Sequence, residues 1–346
     1  MKMNVKRYAE LVEGRFDFLY AKTANALLRY RAEEVVCCID SDNAGKTTNE
    51  VMKLGGDIPV VGSFDEAKVF NPDTLLVGIA TQGGFLPENM RQCVREAIES
   101  GLDVICGLHA FLSEDKEFAL LAKKHDVSIT DLRKPPTPLP FSEGTWRSRK
   151  IPTILTVGDD CDTGKMTAAW EMKRQLEGKG KKVAFVGTGQ TGILLGGFGV
   201  AVDAIVSDFE AGSIEAEIDR VGEDVDLIIV EGQGSISHMA YSGVTLGLLH
   251  GTMPDMLLMC HEPARDIDTF EHPMADFKEV MDLYVRLVQI FKPCEVVGLS
   301  LITHTESEDQ ARATIQNYSE KYGIPASDLV RFGGGQMIDN ILSKLG

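Results

Sequence analysis

The chain has 346 residues, of which 44% are hydrophobic and 25% are charged. These proportions are typical of a globular protein, and the length allows two domains with separate cores. The net charge of −17 disfavours general binding to nucleic-acid backbones, and no apolar run is long enough to predict a membrane span. We therefore expect a small-molecule substrate, with neither nucleic acid nor a membrane as partner.

The cysteines and the N-terminal segment indicate a cellular compartment. There are seven cysteines, and no two of them form a CxxC pair. Cys37, Cys38, Cys106 and Cys260 lie in apolar strand-like runs, where a free thiol behaves as a small core residue. The basic segment 1–7 is not followed by the apolar stretch of a secretory signal. We expect a reduced, cytoplasmic protein without a bound metal.

The first half of the chain alternates strand-like with helix-like segments. The helix predicted over residues 87–100 places Met90, Val94, Ala97 and Ile98 on one face and stops at a glycine. Such alternation predicts a Rossmann-like domain with a parallel sheet. The predicted strands are 16–20, 34–40, 58–61, 74–80 and 103–108.

Two local patterns in this half concern ligands. The triplet Gly45-Lys46-Thr47 lacks the leading glycine of a phosphate-binding loop, because Asp40 stands five positions before Gly45. It therefore predicts a polar loop at a strand end. The layout after Ile58, with Ile-Pro-Val-Val, Phe-Asp-Glu-Ala and Gln-Gly-Gly, resembles CoA-binding Rossmann domains.

A proline-rich segment predicts the domain boundary. Four prolines occur within residues 135–140, and prolines continue neither a helix nor a central strand. We therefore expect an N-terminal Rossmann-like domain over residues 1–140 and a second α/β domain over residues 141–346.

The second domain begins with the most informative stretch, residues 153–167. It reads as a buried strand, a glycine-bounded loop and the start of a helix, the order that presents backbone amides and a lysine to an anion. We expect it to bind phosphate and the fold to be P-loop NTPase-like. The predicted phosphate-binding residues are Gly158, Asp159, Asp160, Cys161, Asp162, Thr163, Gly164, Lys165, Met166 and Thr167.

This loop departs from the usual GxxxxGK[ST] pattern in two ways. Five residues separate Gly158 from Gly164, a spacing that resembles dethiobiotin-synthetase-like P-loop proteins, and Met166 follows Lys165. The methionine moves the hydroxyl to Thr167, which weakens the case for magnesium coordination. Cys161 lies where amides and Lys165 lower the pKa of a thiol, but we interpret it as a loop residue rather than a nucleophile.

A second motif follows the strand at 226–230. The strand is followed by Glu231 and then by a glycine-rich turn. P-loop folds place a carboxylate that binds metal or acts as a base at this position. We predict a site role for Glu231 and for His238, seven residues later on the same loop. The loop 188–192 is predicted to face substrate or phosphate, because loops at the carboxyl ends of parallel strands carry function.

Two further residues leave alternatives open. Arg265 follows the strand-like run 256–261, so it predicts either a clamp for a carboxylate or phosphate, or a surface salt bridge. Asp208 predicts either a metal or amine contact, or a helix cap.

Together these motifs resemble a family of two-domain P-loop proteins formerly of unknown function, some of whose members are D-glutamate N-acetyltransferases of D-amino-acid breakdown. The resemblance spans nearly the whole chain. It is carried by residues 156–167, 203–212, 230–235, 249–255 and 260–265, with Gly-Lys-Met-Thr the most distinctive part. The family implies acetyl-CoA as donor, a D-amino acid such as D-glutamate as acceptor, and a homo-oligomer.

With that resemblance, each motif receives an expected role. The loop 158–167 would hold the CoA phosphates, Glu231 or His238 would act as base, and Arg265 would clamp the acceptor carboxylate. The backbone amides expected to stabilise the thioester oxyanion belong to Gly232, Gln233, Gly234 and Ser235. The alternatives are an ATP- and magnesium-dependent ligase or kinase of the dethiobiotin-synthetase kind, and a nucleotide-binding regulatory module.

Overall fold

A computed structural model of the chain describes residues 6–345. The chain divides into two compact units. Unit 1 comprises the residues up to Lys134 together with Ile193–Gly197, and unit 2 comprises Pro135–Gly192 and the residues from Phe198 onward. Residues 1–5 of the basic N-terminal segment lie outside the described part. Within residues 6–345, no helix has the length and apolar character needed to cross a bilayer.

Unit 1 contains a six-stranded sheet, whose strands are Tyr8–Leu11 (β1), Val35–Ile39 (β2), Val60–Val61 (β3), Thr74–Val77 (β4), Asp103–Cys106 (β5) and Ile129–Asp131 (β6). The strands all pair in parallel, in the order β3-β2-β1-β4-β5-β6. The order reverses between β1 and β4, as in Rossmann folds. The predicted Rossmann-like parallel-sheet domain is confirmed. The helices are Lys22–Tyr30 (α1), Thr48–Met52 (α2), Phe64–Ala67 (α3), Glu88–Glu99 (α4) and Lys116–His125 (α5).

The prediction of a first strand over residues 16–20 is wrong, because the first described strand is β1. Glu10 stands inside β1 with 0% exposure, and this carboxyl interrupts the apolar pattern of a buried strand. Burial raises the pKa of Glu10 well above its usual value, because the surroundings in the sheet favour the neutral carboxyl over the charged one. Phe18, the centre of the predicted strand, is 63% exposed.

Unit 2 contains a second sheet, whose strands are Thr153–Gly158 (β7), Val183–Val186 (β8), Leu227–Val230 (β9), Met256–His261 (β10), Glu295–Leu301 (β11) and Ala326–Ser327 (β12). The six strands pair in parallel in the order β12-β11-β10-β7-β9-β8. The remaining helices are Lys165–Gly178 (α6), Gln190–Gly196 (α7), Ser207–Asp219 (α8), Ser242–Thr252 (α9), Phe277–Gln289 (α10), Glu308–Tyr322 (α11) and Gly335–Leu345 (α12).

The centre of this sheet positions the predicted site. All six residues of β7 are buried, and β7 lies between β10 and β9. Side chains of β7, β9 and β10 share a core with α9 and α10, so β7 is held by a strand on each side and by helices on the face that carries Leu155 and Val157. Because parallel strands end at one edge, the residues that follow β7, β9 and β10 meet there.

Candidate functional site

The loop after β7 has the strand–loop–helix arrangement expected of a P-loop. It joins Gly158, the last residue of β7, to α6, whose N-cap is Gly164 with a φ of +78°. Gly164 has no side chain to occupy the first-turn amides of α6, so those amides face the loop. A Cβ on Gly158 would lie 2.4 Å from Thr163 Oγ1, which explains the need for glycine where the loop folds back.

Lys165 is the charged centre of this loop. Its side chain is buried, and its Nζ donates to the carbonyl of Asp160 at 2.6 Å and to Thr163 Oγ1 at 3.2 Å. Burial lowers the pKa of Lys165, while nearby thiols and carboxylates oppose that effect. An ammonium placed beside helix-terminal amides is suited to binding phosphate.

Asp160 fixes the loop to the segment after β10. Its Oδ1 accepts the Cys161 amide at 2.7 Å, and its Oδ2 accepts both Arg265 Nη1 and the Thr269 amide at 3.0 Å. Arg265 also donates to the Cys161 carbonyl at 2.8 Å and to Glu262 at 2.6 Å. The guanidinium is thus engaged with the loop, and its predicted role as a clamp for the acceptor stays a prediction.

A buried pair that the sequence did not reveal adjoins the loop. His261 ends β10, and its Nδ1 lies 2.6 Å from Asp159 Oδ2 while its Nε2 lies 2.9 Å from the Tyr318 hydroxyl. Asp159 Oδ1 is buried and has no hydrogen-bond partner among residues 6–345, a costly state for an acceptor. The sequence does place His261 at the end of a strand, which marks it as a possible site residue. It does not show that β10 is next to β7, and therefore not that His261 is next to Asp159.

Glu231 directly follows β9 and is 3% exposed. Its Oε2 accepts the amides of Thr188 at 2.8 Å and Gly189 at 3.1 Å. A Cβ on Gly192 would lie 2.0 Å from the same oxygen, so the backbone after β8 approaches the carboxylate as only glycine allows. The structure thus brings together Glu231 and the predicted ligand-facing loop, although α7 already begins at Gln190.

The glycine-rich turn after Glu231 also reaches the loop after β7. Ser235 Oγ and Ser237 Oγ are 2.9 Å apart, and Ser237 Oγ donates to the Asp159 carbonyl at 3.1 Å. The Gly232 amide donates to Thr156 Oγ1 at 2.8 Å, so this amide is already engaged. The oxyanion role of the 232–235 amides stays a prediction.

His238 is 2% exposed and packs between two aromatic rings. It stacks on Tyr241, with centroids 4.8 Å apart, and meets the edge of Phe270 at 5.0 Å. The Ala240 amide donates to Nδ1 at 3.2 Å, which places the proton of the neutral ring on Nε2, 3.0 Å from Thr269 Oγ1. In this tautomer His238 is a donor at Nε2, whereas its predicted role as a base requires a different tautomer.

Three groups of the types that bind zinc meet in this region. The Cys161 sulfur, an Asp160 oxygen and a ring nitrogen of His238 all lie within 4.8 Å of one another. A zinc-bound histidine keeps its proton on the nitrogen away from the metal and donates it to an acceptor. His238 Nδ1 instead receives the Ala240 N–H, so the three residues as arranged do not fit a metal.

Asp208 is separate from these contacts. It is exposed in the first turn of α8, whose N-cap is Val206. The carboxylate is therefore not the N-cap, and it complements the positive end of the helix dipole.

Comparison with known proteins gives the same architecture. Residues 140–338 match the model of a P-loop domain described as DUF1611_C, and residues 41–135 match a Rossmann-like domain described as DUF1611_N, both of unknown function. A crystal structure of a DUF1611 family protein from Anabaena variabilis superposes with a TM-score of 0.92 at 32% identity, covering 98% of this chain and 99% of that one.

Two curated relatives carry an enzyme name. A protein of Tritonibacter scottomollicae named D-glutamate N-acetyltransferase is 34% identical over 93% of this chain and 94% of its own length. A protein of Pseudoalteromonas sp. with the same name is 33% identical over 98% of both chains.

Proposed function

This chain belongs to the DUF1611 family, and from that premise we propose that it transfers the acetyl group of acetyl-CoA to the amino group of a D-amino acid, D-glutamate first, for D-amino-acid catabolism. The names of the two relatives support an N-acetyltransferase. The observation that carries the choice of cofactor is the loop 158–167, where the buried ammonium of Lys165 stands beside the first turn of α6. Such a loop suits the pyrophosphate of CoA.

The variant loop favours binding over hydrolysis. In P-loop NTPases the hydroxyl after the lysine holds magnesium, and Met166 occupies that position here. We propose that the loop holds the phosphates while the reaction takes place at the thioester end of the cofactor. The same feature disfavours the alternative of an ATP- and magnesium-dependent ligase or kinase.

The remaining residues can be assigned to the requirements of acetyl transfer. The acceptor amine must be neutral when it attacks, and the thioester oxygen must be stabilised as it becomes negative. We assign the proton transfer to the Glu231 carboxylate, because His238 carries its proton on Nε2. The Nε2–H of His238 then serves as a donor to the thioester oxygen.

The decisive experiment compares cofactors and acceptors with the purified chain. We expect CoA release and an N-acetylated product with acetyl-CoA and D-glutamate, and slower reaction with L-glutamate. Chromatography should quantify CoA, because the seven protein thiols would react with thiol reagents. EDTA should have no effect on the rate.

A parallel assay with ATP and magnesium tests the alternatives. We would assign a ligase or kinase activity if phosphate release depended on an added carboxylic or amino acid, stopped with EDTA, and occurred without acetylation. Thermal stabilisation by a nucleotide without turnover of either cofactor would establish a regulatory module.

A further inference from the structure

We propose that the rings of Tyr241 and Phe270 bind the pantetheine arm of CoA, the part of the cofactor between its pyrophosphate and its thioester. We refer to these two rings as the aromatic surface. The inference rests on the proposed function and adds to it a site for the apolar part of the cofactor.

The aromatic surface consists of large apolar groups that the fold leaves open. Tyr241 is 45% exposed and Phe270 is 48% exposed, and their ring centroids lie 6.3 Å apart. Met239 and Ile267, which are close to them in the chain, are also exposed. Exposed apolar side chains grouped beside polar site residues are typical of a surface that binds a ligand.

The backbone holds Phe270 in a fixed position. Residues 266–274 form a closed turn, in which the Asp268 amide donates to the His272 carbonyl at 2.7 Å. The Asp268 carboxylate accepts the amides of Phe270 at 2.8 Å and His272 at 2.9 Å. The exposure of Phe270 is therefore a property of an ordered turn, and a ligand that covers the ring does not have to order this backbone first.

The aromatic surface adjoins two groups that already have a role in the proposed reaction. The amide of Thr269, the residue before Phe270, donates to Asp160 Oδ2 in the loop after β7 at 3.0 Å. His238 Nε2 lies 3.8 Å from Asp160 Oδ1. The His238 ring stacks on Tyr241 and meets the edge of Phe270. The two rings thus lie next to both the loop assigned to the phosphates and the histidine assigned to the thioester oxygen.

This position selects one part of the cofactor. Because the loop after β7 holds the pyrophosphate and His238 donates to the thioester oxygen, the arm that joins these two groups runs between them. The arm carries two methyl groups on one carbon and several methylenes, and covering apolar area stabilises a complex by about 25 cal/mol per Å². Adenine also stacks on aromatic rings, but it is joined to the other side of the pyrophosphate, so the two parts can be tested separately.

The first test compares CoA with its nucleotide half, adenosine 3′-phosphate 5′-diphosphate, by calorimetric titration. Tyr241→Ala and Phe270→Ala should each weaken CoA binding about 10-fold. Both variants should bind the nucleotide half as the wild type does, because this ligand has no arm. Phe291→Ala is the matched control, since it removes another ring of unit 2 that is 49% exposed, and it should change neither affinity.

The second test measures the acetylation of D-glutamate at a series of acetyl-CoA concentrations. Both alanine variants should raise the KM for acetyl-CoA about 10-fold and change kcat less, because the arm contacts the rings in the ground state and the transition state alike. Tyr241→Phe keeps the ring and should have the wild-type KM. Thermal unfolding checks that each variant is folded, and if one alanine variant does not fold, the other decides.

The outcomes separate the inference from the proposed function. Equal weakening of CoA and of the nucleotide half would overturn the inference and place adenine on the rings. Unchanged affinity for CoA in both alanine variants would also overturn it, and would limit the rings to covering His238. In both cases, acetylation of D-glutamate by the wild type leaves the proposed function intact. The expected affinities without acetylation of any amino acid would instead overturn the proposed function alone.

Discussion

Each unit has a loop after a parallel strand in which a lysine directly follows a glycine, and the two lysines differ in burial and in contacts. Lys46 is exposed, and its Nζ donates to Asn43 Oδ1 at 2.8 Å. Lys165 is buried within the loop after β7. The residue after Lys46, Thr47, caps α2 with its own side chain, whereas the glycine N-cap of α6 makes no side-chain hydrogen bond to the first-turn amides. The Gly-Lys pair alone thus does not make a phosphate site.

In each sheet, a carboxylate at the carboxyl end of a strand also accepts hydrogen bonds from two backbone amides. In unit 1, Asp131 accepts the amides of Leu112 and Ser113, both at 2.9 Å. In unit 2, Glu231 accepts two amides of the loop after β8. Both contacts hold a loop against its sheet. Glu231 also begins the glycine-rich turn whose Ser237 hydroxyl donates to the Asp159 carbonyl in the loop after β7. Asp131 therefore provides a control for the catalytic role that we propose for Glu231.

The largest expected effect comes from Glu231→Gln, with Asp131→Asn as its matched control. One Glu231 oxygen accepts both amides, so Glu231→Gln keeps an acceptor for each and should lose only about 1 kcal/mol of unfolding free energy. The two Asp131 oxygens accept one amide each, so Asp131→Asn leaves one amide without an acceptor and should lose more unfolding free energy. If Glu231 is the base, the acetylation rate should fall about 10²- to 10⁴-fold in Glu231→Gln alone. Initial rates and denaturant unfolding measure the two quantities. A rate within a few-fold of wild type would remove Glu231 from the chemistry.

The second expected effect distinguishes the two lysines. Lys165→Met should weaken CoA binding by about 10- to 100-fold, because a charge-assisted hydrogen bond contributes about 1.5–3 kcal/mol. Lys46→Met should leave binding unchanged. Calorimetric titration with CoA measures both affinities. Equal affinities in the two variants would show that the phosphates bind elsewhere.

The sequence allowed prediction of those parts of the site that are contiguous in the chain. The strand, loop and helix around Lys165 could be recognised because the glycines, the lysine and the apolar run are neighbours. The contact of Asp159 with His261 joins residues 102 positions apart, and it depends on β10 pairing with β7. Pairing order among buried parallel strands leaves no local pattern, since all of them read as apolar runs.

The error at the first strand has a related cause. A buried strand is recognised by apolar residues, and β1 departs from that pattern because it buries Glu10, whose pKa is raised by that burial. The two phenylalanines at positions 16 and 18 supplied a false pattern in a turn. Ionisable groups buried in a neutral form therefore limit prediction from pattern alone.

Unit 2 also has a buried carboxyl of this kind, which gives a third prediction. Burial and the nearby Asp203 raise the pKa of Glu210 to about 8, and its Oε1 has no hydrogen-bond partner among residues 6–345. Between the ordinary value of 4.5 and about 8 the folded state binds more protons than the unfolded state. Stability should therefore fall as pH rises through this interval, by at most about 1.4 kcal/mol per pH unit.

Glu210→Gln removes this ionisation, so its stability relative to wild type should increase with pH and level off above about pH 8. Denaturant unfolding at a series of pH values measures the difference. Asp208→Asn, which changes an exposed carboxyl of the same helix, should show little pH-dependent difference. A Glu210→Gln difference that is flat with pH would contradict the raised pKa.

The smallest expected effect concerns how each unit holds the aspartate at its strand end. Asp40 of unit 1 accepts the Gly14 amide at 2.8 Å, whereas Asp159 of unit 2 relies on His261, whose Nε2 in turn meets the Tyr318 hydroxyl. Tyr318→Phe removes that hydroxyl and should cost about 0.5–1.5 kcal/mol. Tyr322→Phe, in the same aromatic cluster, should cost less, because its hydroxyl is not bonded to His261. Equal losses in thermal unfolding of the two variants would mean that the bond between Tyr318 and His261 contributes nothing to the support of Asp159, and the loop after β7 would then be held by its other contacts, such as the one from Ser237 to the Asp159 carbonyl.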